Sequence, residues 1–355
     1  MNFTLLHQKH HDLNARMGEF GGWDMPIQYK GILSEHDHTR NKCSIFDICH
    51  MGEIEVSGSS CIDDLENLLT CSIKDMSIGQ VRYGYLLNHS GGVIDDLTCY
   101  RLANDKFMLV VNAATTKIDF DWIKKNISPK TLLKDRSSEF AKIDIQGPLS
   151  RNVLMQIANF NIIDLKYFKF IEIDKIIVSR TGYTGELGYE LYIPSKSAEK
   201  WWNMLLNHID CEAAGLGARD TLRLEMGYPL YGHELNELNS PISFSDGSFI
   251  NLNKDFIGKQ KIIDDIKNKS KKAVGLSFNS KRAARENDLV FYNDQKIGII
   301  TSGSVSPSLG KAIAIASVKF EYSHLGKKLL VKIRNNFYEA EVVSLPFYRN
   351  GTARI

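Results

Sequence analysis

Two β-prone segments flank a short turn between Tyr83 and Arg101, and this stretch constrains the fold more than any other. The segment "YGYLL" begins at Tyr83, and "VIDDLTCYRL" begins at Val93. Between them, residues 88–92 read Asn-His-Ser-Gly-Gly, a composition typical of tight turns. We therefore predict an antiparallel hairpin here, with residues 93–102 as its returning strand.

Asp95 and Asp96 are adjacent inside that returning strand, where aspartate is disfavoured. Successive side chains of a strand point to opposite faces, so one of the two must face away from the other. One interpretation is a solvated pair at a sheet edge. The other is that one carboxylate lies in a poorly hydrated place and has a chemical role. Strand alternation alone does not decide between the two aspartates.

Length and charge limit the classes of protein to consider. A chain of 355 residues exceeds the size at which a single core keeps growing, so two or three domains are expected. The 44 Lys and Arg residues nearly balance 42 Asp and Glu residues, giving a net charge of +2. This balance is too even for a dedicated nucleic-acid-binding protein.

The six cysteines contain no Cys-x-x-Cys pair and follow no framework spacing. They are typical of reduced thiols in a cytosolic protein. The N-terminal segment lacks the apolar core of an export signal, and no apolar run is long enough to span a membrane. We expect a soluble, cytoplasmic protein without a membrane partner.

Three histidines, His7, His10 and His11, have helical spacing near the N-terminus. That spacing is compatible with metal binding, but no carboxylate or cysteine completes a recognisable ligand set in the sequence. We therefore predict no metal site.

Glycines recur every three residues in "RTGYTGELGYE", residues 180–190. The spacing fits neither a dinucleotide fingerprint nor a P-loop. It predicts a loop that passes close to something flat, with Tyr183 available to stack and Glu190 available to accept hydrogen bonds. A solvated Glu190 at a strand end is the alternative.

A helix is predicted from Gly215 to Met226, with Arg219 and Arg223 one turn apart. Like charges at this spacing repel, which favours an anionic partner outside the helix for one of them. Asp220 and Glu225 are candidate structural partners.

Beyond Ala273 the sequence changes to short β-prone segments. Asn293-Asp294 and Asn335-Asn336 have the composition of two-residue hairpin turns. This spacing of strands predicts a small antiparallel barrel or sandwich.

In order and spacing, several segments resemble the T-protein family of the glycine cleavage system. The members of this family are tetrahydrofolate-dependent aminomethyltransferases. The resemblance runs from about Leu6 to Arg349. The segments that carry it are "LNHSGGVIDDLTCY", "LVVNAAT", "DIQGPLS", "RTGYTGELGYE", "GLGARDTLRLEMGYPLYG" and "TSGSVSPSLGKAIA".

The resemblance implies an α+β fold: a three-domain cloverleaf of mostly antiparallel sheets around a central folate cleft, with a C-terminal β-barrel. The implied domains are residues 1–50 with 140–235, residues 51–139 with 236–270, and residues 273–355.

The resemblance also implies roles for individual residues. Asp96 is the expected catalytic carboxylate, and Asp95 is expected to face away and serve structure. Glu190 and Arg219 are expected to hold the pterin of tetrahydrofolate, with Arg219 binding folate or orienting Glu190. The other expected cofactor-binding residues are Met51, Tyr83, Asn112, Phe168, Tyr183 and, less securely, Arg349.

Tetrahydrofolate would be a co-substrate, and the implied reaction takes an aminomethyl group from the dihydrolipoyl arm of H protein. The implied partners are lipoylated H protein and, functionally, the P and L proteins. Two alternatives stay open. One is a folate-dependent demethylase of a small methylated amine or sulfonium compound. The other is a non-enzymatic folate-binding factor for iron–sulfur assembly, which the complete C-terminal strand region argues against.

Overall fold

The computed structural model describes residues 1–354, which form an α+β protein of two compact units. The first unit contains Met1–Gly84, Leu97–Asp220 and the terminal segment from Gly351; the second contains Tyr85–Asp96 and Thr221–Asn350. Among the described residues, no helix has both the length and the apolar character needed to cross a bilayer.

The helices of the described chain are mostly short. They are α1 His7–Asp12, α2 Ile32–Asn41, α3 Cys61–Leu68, α4 Thr116–Asn126, α5 Ser150–Ala158, α6 Ala198–Leu206, α7 Leu216–Glu225, α8 Ile242–Ser245 and α9 Lys259–Lys267.

The strands are more numerous and form three open sheets and a barrel. They are β1 Asn2–Phe3, β2 Arg16–Phe20, β3 Trp23–Gln28, β4 Cys43–Asp47, β5 Gly52–Ser57, β6 Val81–Leu87, β7 Val93–Ala103, β8 Lys106–Val111, β9 Leu132–Asp135, β10 Phe140–Gln146, β11 Phe170–Ile173, β12 Ile176–Ser179, β13 Gly188–Pro194, β14 Cys211–Ala213, β15 Lys271–Phe278, β16 Leu289–Tyr292, β17 Gln295–Ser306, β18 Lys311–Lys319, β19 Lys328–Ile333 and β20 Asn336–Val343.

A six-stranded sheet with the order β11-β12-β13-β10-β4-β14 carries the main core of the first unit. Its neighbours pair antiparallel except β14 and β4, which are parallel. One face is apolar: Ile143 and Ile145 of β10 and Leu191 of β13 join a core that includes Trp202 of α6. Strand alternation therefore turns the intervening residues to the other face.

A five-stranded sheet with the order β6-β7-β8-β5-β9 contains the predicted hairpin as β6 and β7. The turn is held by the Asn88 amide, which donates to the Gly92 carbonyl at 2.9 Å. A third sheet, β1-β3-β2, lies near the N-terminus. The hairpin prediction from Tyr83 to Arg101 is thus confirmed.

The C-terminal strands close a six-stranded barrel in the order β15-β18-β17-β16-β19-β20, with β20 pairing back to β15. Alternate residues of β18, such as Ala314 and Ala316, point into the barrel core with Leu276 and Val331. The α+β class and the antiparallel barrel are confirmed. The three-domain boundaries stay a prediction.

Candidate active site

A buried polar strip crosses the six-stranded sheet on the face opposite its apolar core. Lys142, Asp144 and Gln146 share this face of β10 because they alternate with core residues. Pairing places Glu190 of β13 opposite Asp144, and Tyr192 opposite Lys142. All five side chains are buried. Buried charges require partners, and the strip supplies them internally.

Glu190 is the most heavily bonded carboxylate of the strip. Its Oε2 accepts hydrogen bonds from Thr181 Oγ1 at 2.7 Å and from Tyr100 Oη at 3.2 Å. Tyr192 Oη in turn donates to Tyr100 Oη at 2.8 Å. The other oxygen, Oε1, lies 3.9 Å from Lys142 Nζ, longer than an ordinary hydrogen bond. Oε1 is therefore the oxygen with acceptor capacity left for a ligand.

These contacts decide the charge of Glu190. Burial acts to raise the pKa of this carboxyl, but Lys142, the Thr181 hydroxyl and Arg219 together outweigh burial, and the pKa lies below its ordinary value. Glu190 is thus an ionised acceptor at neutral pH. An ionised carboxylate can accept two parallel N–H donors from a heterocyclic edge.

Arg219 of α7 joins the strip through Asp144, to which its guanidinium donates a short hydrogen bond. The guanidinium also lies 5.1 Å from the centre of the Tyr183 ring. Burial raises the pKa of Asp144 to about 6, with Glu190 adding to the rise and Arg219 opposing it. The partner shown for Arg219 is thus Asp144, and the suggested structural roles of Asp220 and Glu225 stay predictions.

Arg223, one turn further along α7, has different partners. Its guanidinium donates to Glu234 at 3.1 Å and to Ser302 Oγ at 2.8 Å inside the second unit. Glu225 accepts hydrogen bonds from Ser306 and Ser308. Each of the two arginines therefore has an acidic partner outside α7: Asp144 for Arg219 and Glu234 for Arg223.

The structure explains why glycine occupies two positions in residues 180–190, for a reason that the sequence did not show. A Cβ atom on Gly182 would lie 2.3 Å from the Gln146 side-chain amide, and a Cβ on Gly188 would lie 2.2 Å from it. These two glycines make room for Gln146 of the sheet. Gly185 adopts a φ of 81°, which glycine tolerates best.

Met51 and Phe168 meet at an apolar cluster beside Glu190. Both pack against a cluster that contains Val81, Tyr100, Met108, Val110, Phe170, Ile177 and Tyr192. Met51 Sδ lies 3.6 Å from Lys142 Nζ. The first unit therefore brings five of the expected cofactor-binding residues to one connected region: Met51, Phe168, Tyr183, Glu190 and Arg219.

Two buried residues near the strip were missed by the sequence analysis. Burial raises the pKa of Glu53 on β5 to about 8, with Lys142 opposing the rise, and its Oε1 has no hydrogen-bond partner. Burial also lowers the pKa of His50 to about 4, and its Nδ1 is likewise without a partner. The signal was present for Glu53, since "GEIEVS" puts an acid inside a β-prone run.

Asp95 and Asp96 of β7 differ in burial. Asp95 is fully buried, whereas Asp96 is half-buried, and both belong to the second unit. Tyr83 of β6 and Asn112 are half-buried in the first unit. Asn112 directly follows β8, and its carbonyl accepts hydrogen bonds from the Thr115 and Thr116 hydroxyls at the start of α4.

Arg349 is exposed in the second unit, where it donates to Ser344 Oγ at 2.5 Å. It lines a surface pocket of about 350 Å³ beside the barrel, together with Lys311, Phe347 and Glu341. Its assignment as a cofactor-binding residue stays a prediction.

The N-terminal histidines have a neighbour that the sequence analysis overlooked. The Asp24 carboxylate of β3 accepts a hydrogen bond from His7 Nε2 at 2.9 Å. Ligand atoms of His7, His11 and Asp24 lie within 4.8 Å of one another. A carboxylate therefore lies beside two of these histidines, and the absence of a metal site stays a prediction. His10 is separate, because it is buried and bonds Asp47 at 2.8 Å.

Comparison with known proteins gives the class. A model of the GCVT N-terminal domain matches residues 6–254, and a model of the glycine cleavage T-protein C-terminal barrel domain matches residues 271–349. The chain belongs to the glycine cleavage T-protein family.

Individual relatives extend over the whole chain. An aminomethyltransferase of Halothermothrix orenii is 38% identical over 98% of this chain and 100% of its own length. One of Chloroherpeton thalassium is also 38% identical, over 98% of this chain and 99% of its own. The crystal structure of glycine cleavage system aminomethyltransferase T from Bartonella henselae matches with a TM-score of 0.95 and 31% identity, covering 99% of each chain.

Proposed function

We propose that this protein is an aminomethyltransferase that moves a one-carbon unit from the dihydrolipoyl arm of H protein to tetrahydrofolate. The observation that carries the proposal is the match to aminomethyltransferases over 98% of this chain and essentially all of theirs. Both family domains are present, so the activity of the family applies to the chain as a whole. The family places the protein functionally within the glycine cleavage system.

The reaction is balanced as follows. The carrier presents S–CH₂–NH₂, and the carbon forms bonds to N5 and N10 of tetrahydrofolate while its bonds to sulfur and nitrogen break. The two hydrogens lost from N5 and N10 go to the thiol and to the amine. The products are 5,10-methylenetetrahydrofolate, ammonia and dihydrolipoyl H protein, and no covalent enzyme intermediate is required.

Glu190 is the proposed anchor of the pterin. A pterin presents adjacent N–H donors along its 2-amino-4-oxo edge, and these suit an ionised carboxylate. The buried, ionised Glu190 has Oε1 available, because its Thr181 and Tyr100 bonds are both made to Oε2. In a poorly hydrated site such charge-assisted bonds are stronger than in water.

The pterin faces are assigned to the side chains around this anchor. Met51 and Phe168 supply apolar contact from their shared cluster, and Tyr183 supplies an aromatic face next to Arg219. Arg219 acts through Asp144, to which it is bonded, and so helps hold the strip in place. Tyr83, Asn112 and Arg349 complete the proposed folate-binding set.

Asp96 is the proposed catalytic carboxylate. Its half-buried position leaves the side chain partly accessible, as a residue that meets substrate requires. It would accept a proton from a folate amine and stabilise the positive charge that develops as the aminomethyl carbon loses its substituents. Asp95, which is fully buried, is assigned a structural role.

The experiment is methylenetetrahydrofolate formation from H protein loaded with the aminomethyl group, with tetrahydrofolate present and omitted. Asp96→Asn should lower turnover by about 10²–10⁴-fold, the usual contribution of a general acid or base, with folate affinity largely kept. Asp105→Asn, an exposed turn aspartate, is the matched control and should behave as wild type.

Three outcomes would contradict the proposal. Wild-type turnover in Asp96→Asn would remove the catalytic assignment. Product formation without tetrahydrofolate would remove the co-substrate. Demethylation of a small amine or sulfonium compound in the absence of any lipoyl carrier would favour the folate-dependent demethylase instead.

A further inference from the structure

Lys142 is an unusual residue to find in the centre of a sheet face. Its side chain is only 2% exposed. The ammonium lies 3.9 Å from Glu190 Oε1, 3.6 Å from Met51 Sδ and 5.0 Å from the centre of the Tyr192 ring. A buried ammonium is costly unless it is compensated by an opposite charge, so at least one nearby acid must be ionised.

Two glutamates share the field of this lysine, since Lys142 acts on the titration of both Glu190 and Glu53. Glu190 receives hydroxyl hydrogen bonds from Thr181 and Tyr100, which stabilise a carboxylate. Glu53 is equally buried, but its Oε1 is without a hydrogen-bond partner. The single positive charge of Lys142 compensates one carboxylate. Because Glu190 receives more hydrogen-bond donors than Glu53, we infer that Glu190 carries the negative charge and that Glu53 is the neutral acid.

The charges around the pair come from several strands and one helix. Asp144 of β10, bonded to Arg219 of α7, adds a pair that is close to neutral above pH 7 and gains positive charge as Asp144 takes up a proton near pH 6. Asp135 of β9 acts on Glu53 and opposes its ionisation further. Other titratable groups near the strip are His50, the phenols of Tyr100 and Tyr192, and the Cys49 thiol, whose Sγ lies 3.2 Å from the Lys142 backbone nitrogen.

We propose that Lys142 is a positioning residue that keeps Glu190 ionised for pterin binding, with Glu53 beside it held as a neutral carboxylic acid. This inference rests on the proposed function, because it deepens the role of Glu190. It gives Lys142 and Glu53 roles in the affinity for folate without direct contact to the ligand. The lysine then sets the pH range over which folate is held.

A purely structural role is the alternative, in which Lys142 fills space between Met51 and the Tyr192 ring. Both roles predict some loss of stability when the lysine is replaced. They differ in pH dependence. Only the electrostatic role predicts that the loss changes with pH through the titration of Glu190.

The first experiment measures apo stability, without folate. Lys142→Met removes the largest of the influences that lower the pKa of Glu190, and burial is then opposed only by Arg219 and by the bonds from Thr181 and Tyr100. We expect the folded-state pKa to rise above its ordinary value. The stability contributed by a raised carboxyl pKa is present at low pH and lost as pH rises through that pKa. The melting temperature of Lys142→Met should therefore fall further below wild type from pH 5 to pH 8. The double variant Lys142→Met/Glu190→Gln should remove this pH dependence.

The second experiment measures tetrahydrofolate binding under anaerobic conditions from pH 6 to pH 8. Wild-type affinity should be nearly constant above pH 7, where Asp144 is ionised as well as Glu190. Lys142→Met should bind at least about tenfold more weakly at pH 6 and recover as pH rises, because Glu190 then regains its charge. Lys106→Met is the matched control, since it removes a half-buried lysine from Glu55 and should keep the wild-type profile.

A third measurement keeps the proposal testable if Lys142→Met does not fold. At pH 7, infrared spectra of the wild type should show a carboxylic-acid C=O band that is absent in Glu53→Gln, because most other acids are ionised. Persistence of that band in Glu53→Gln would overturn the assignment of the neutral acid.

Two other results would overturn the proposal. One is a difference in melting temperature between Lys142→Met and wild type that does not change with pH. The other is a difference whose pH dependence disappears when Glu53→Gln is added to Lys142→Met but not when Glu190→Gln is added. Failure of the wild type to bind tetrahydrofolate would contradict the proposed function instead. The apo measurements would still decide the charge assignment in that case.

Discussion

Glu53 gives a stability prediction whose sign and size follow from its surroundings. The side chain is 2% exposed, one carboxyl oxygen is without a partner, and burial raises the pKa to about 8 from an ordinary value of 4.5. A raised carboxyl pKa contributes stability that is fully present below pH 4.5 and is lost as pH rises towards 8. At neutral pH the folded state must hold a proton that the unfolded chain releases.

The magnitude at pH 7 follows from this difference. One pKa unit corresponds to about 1.36 kcal/mol, and pH 7 lies about 2.5 units above the ordinary value of 4.5. Relative to pH values below 4.5, where both the folded and the unfolded chain hold the proton, Glu53 therefore destabilises the fold at pH 7 by about 3 kcal/mol. Glu53→Gln keeps the shape and removes the titration. We expect the variant to match wild type near pH 4.5 and to exceed its free energy of unfolding by about 3 kcal/mol at pH 7.

Urea denaturation followed by tryptophan fluorescence from pH 4.5 to pH 8 measures this difference. Glu55→Gln on the same strand is the control with the opposite sign. Burial raises the pKa of Glu55, but its bonds from Lys106 and Arg136 outweigh burial and lower it. Its contribution is therefore present throughout this pH range and is lost only as pH falls below 4.5, so the difference between Glu55→Gln and wild type should stay constant over the assay. Parallel pH curves for wild type and Glu53→Gln would refute the assignment of Glu53 as a neutral buried acid.

Two further substitutions test the packing of each unit. Glu186→Gln weakens a buried ion pair in which Arg40 Nη1 lies 2.7 Å from Glu186. The substitution should lower the free energy of unfolding, measured by urea denaturation, by about 3–5 kcal/mol. A loss below about 1 kcal/mol would mean that the pair contributes little to stability. Gly92→Ala would place a Cβ 1.8 Å from the Glu237 carbonyl oxygen. Its melting temperature should fall well below that of Gly310→Ala, which carries only the backbone strain of a φ of 66° and has no atom within 4 Å of the added Cβ. Equal melting temperatures for the two alanine variants would contradict the close approach at Gly92.

Local sequence patterns predicted the elements that depend on local chemistry. The Gly-Gly hairpin and the C-terminal antiparallel barrel form as predicted, and Asn293 and Asp294 both adopt positive φ values in their turn. The second predicted turn is displaced by one residue: β19 ends at Ile333, and Arg334 takes the positive φ. Turn composition identifies a hairpin but does not fix its register when Asn neighbours Asn.

The same limit applies to the helix that begins at Ala198. Apolar residues recur at helical spacing from Ala198 to Ile209, and this spacing predicts one helix with a buried stripe that includes Trp201 and Trp202. In the structure α6 ends at Leu206, and Ile209 is 90% exposed. Periodicity predicted the buried Trp201 and Trp202 correctly. It did not predict where the helix stops, because no glycine or proline marks the end.

The polar strip shows why sequence alone found only part of the site. In "FAKIDIQ" the polar residues alternate with apolar ones, a pattern typical of a strand with one solvated face. In the structure that face is buried, because the cluster containing Tyr100, Val110 and Tyr192 joins the two larger sheets. Burial of Lys142 and Asp144 is thus a consequence of tertiary packing, and no local pattern carries it.

The strip also has an energetic cost, which leads us to predict that it serves ligand binding rather than stability. Replacing a buried ion pair by apolar residues of similar volume is often neutral or stabilising by about 1–4 kcal/mol. Lys142→Met/Glu190→Met should therefore unfold no more easily than wild type in urea, while tetrahydrofolate binding is lost because no acceptor faces the pterin. If the double variant is instead less stable than either single variant, the pair serves the fold rather than the ligand. A stable variant that no longer binds would mean that the buried charges are retained for recognition.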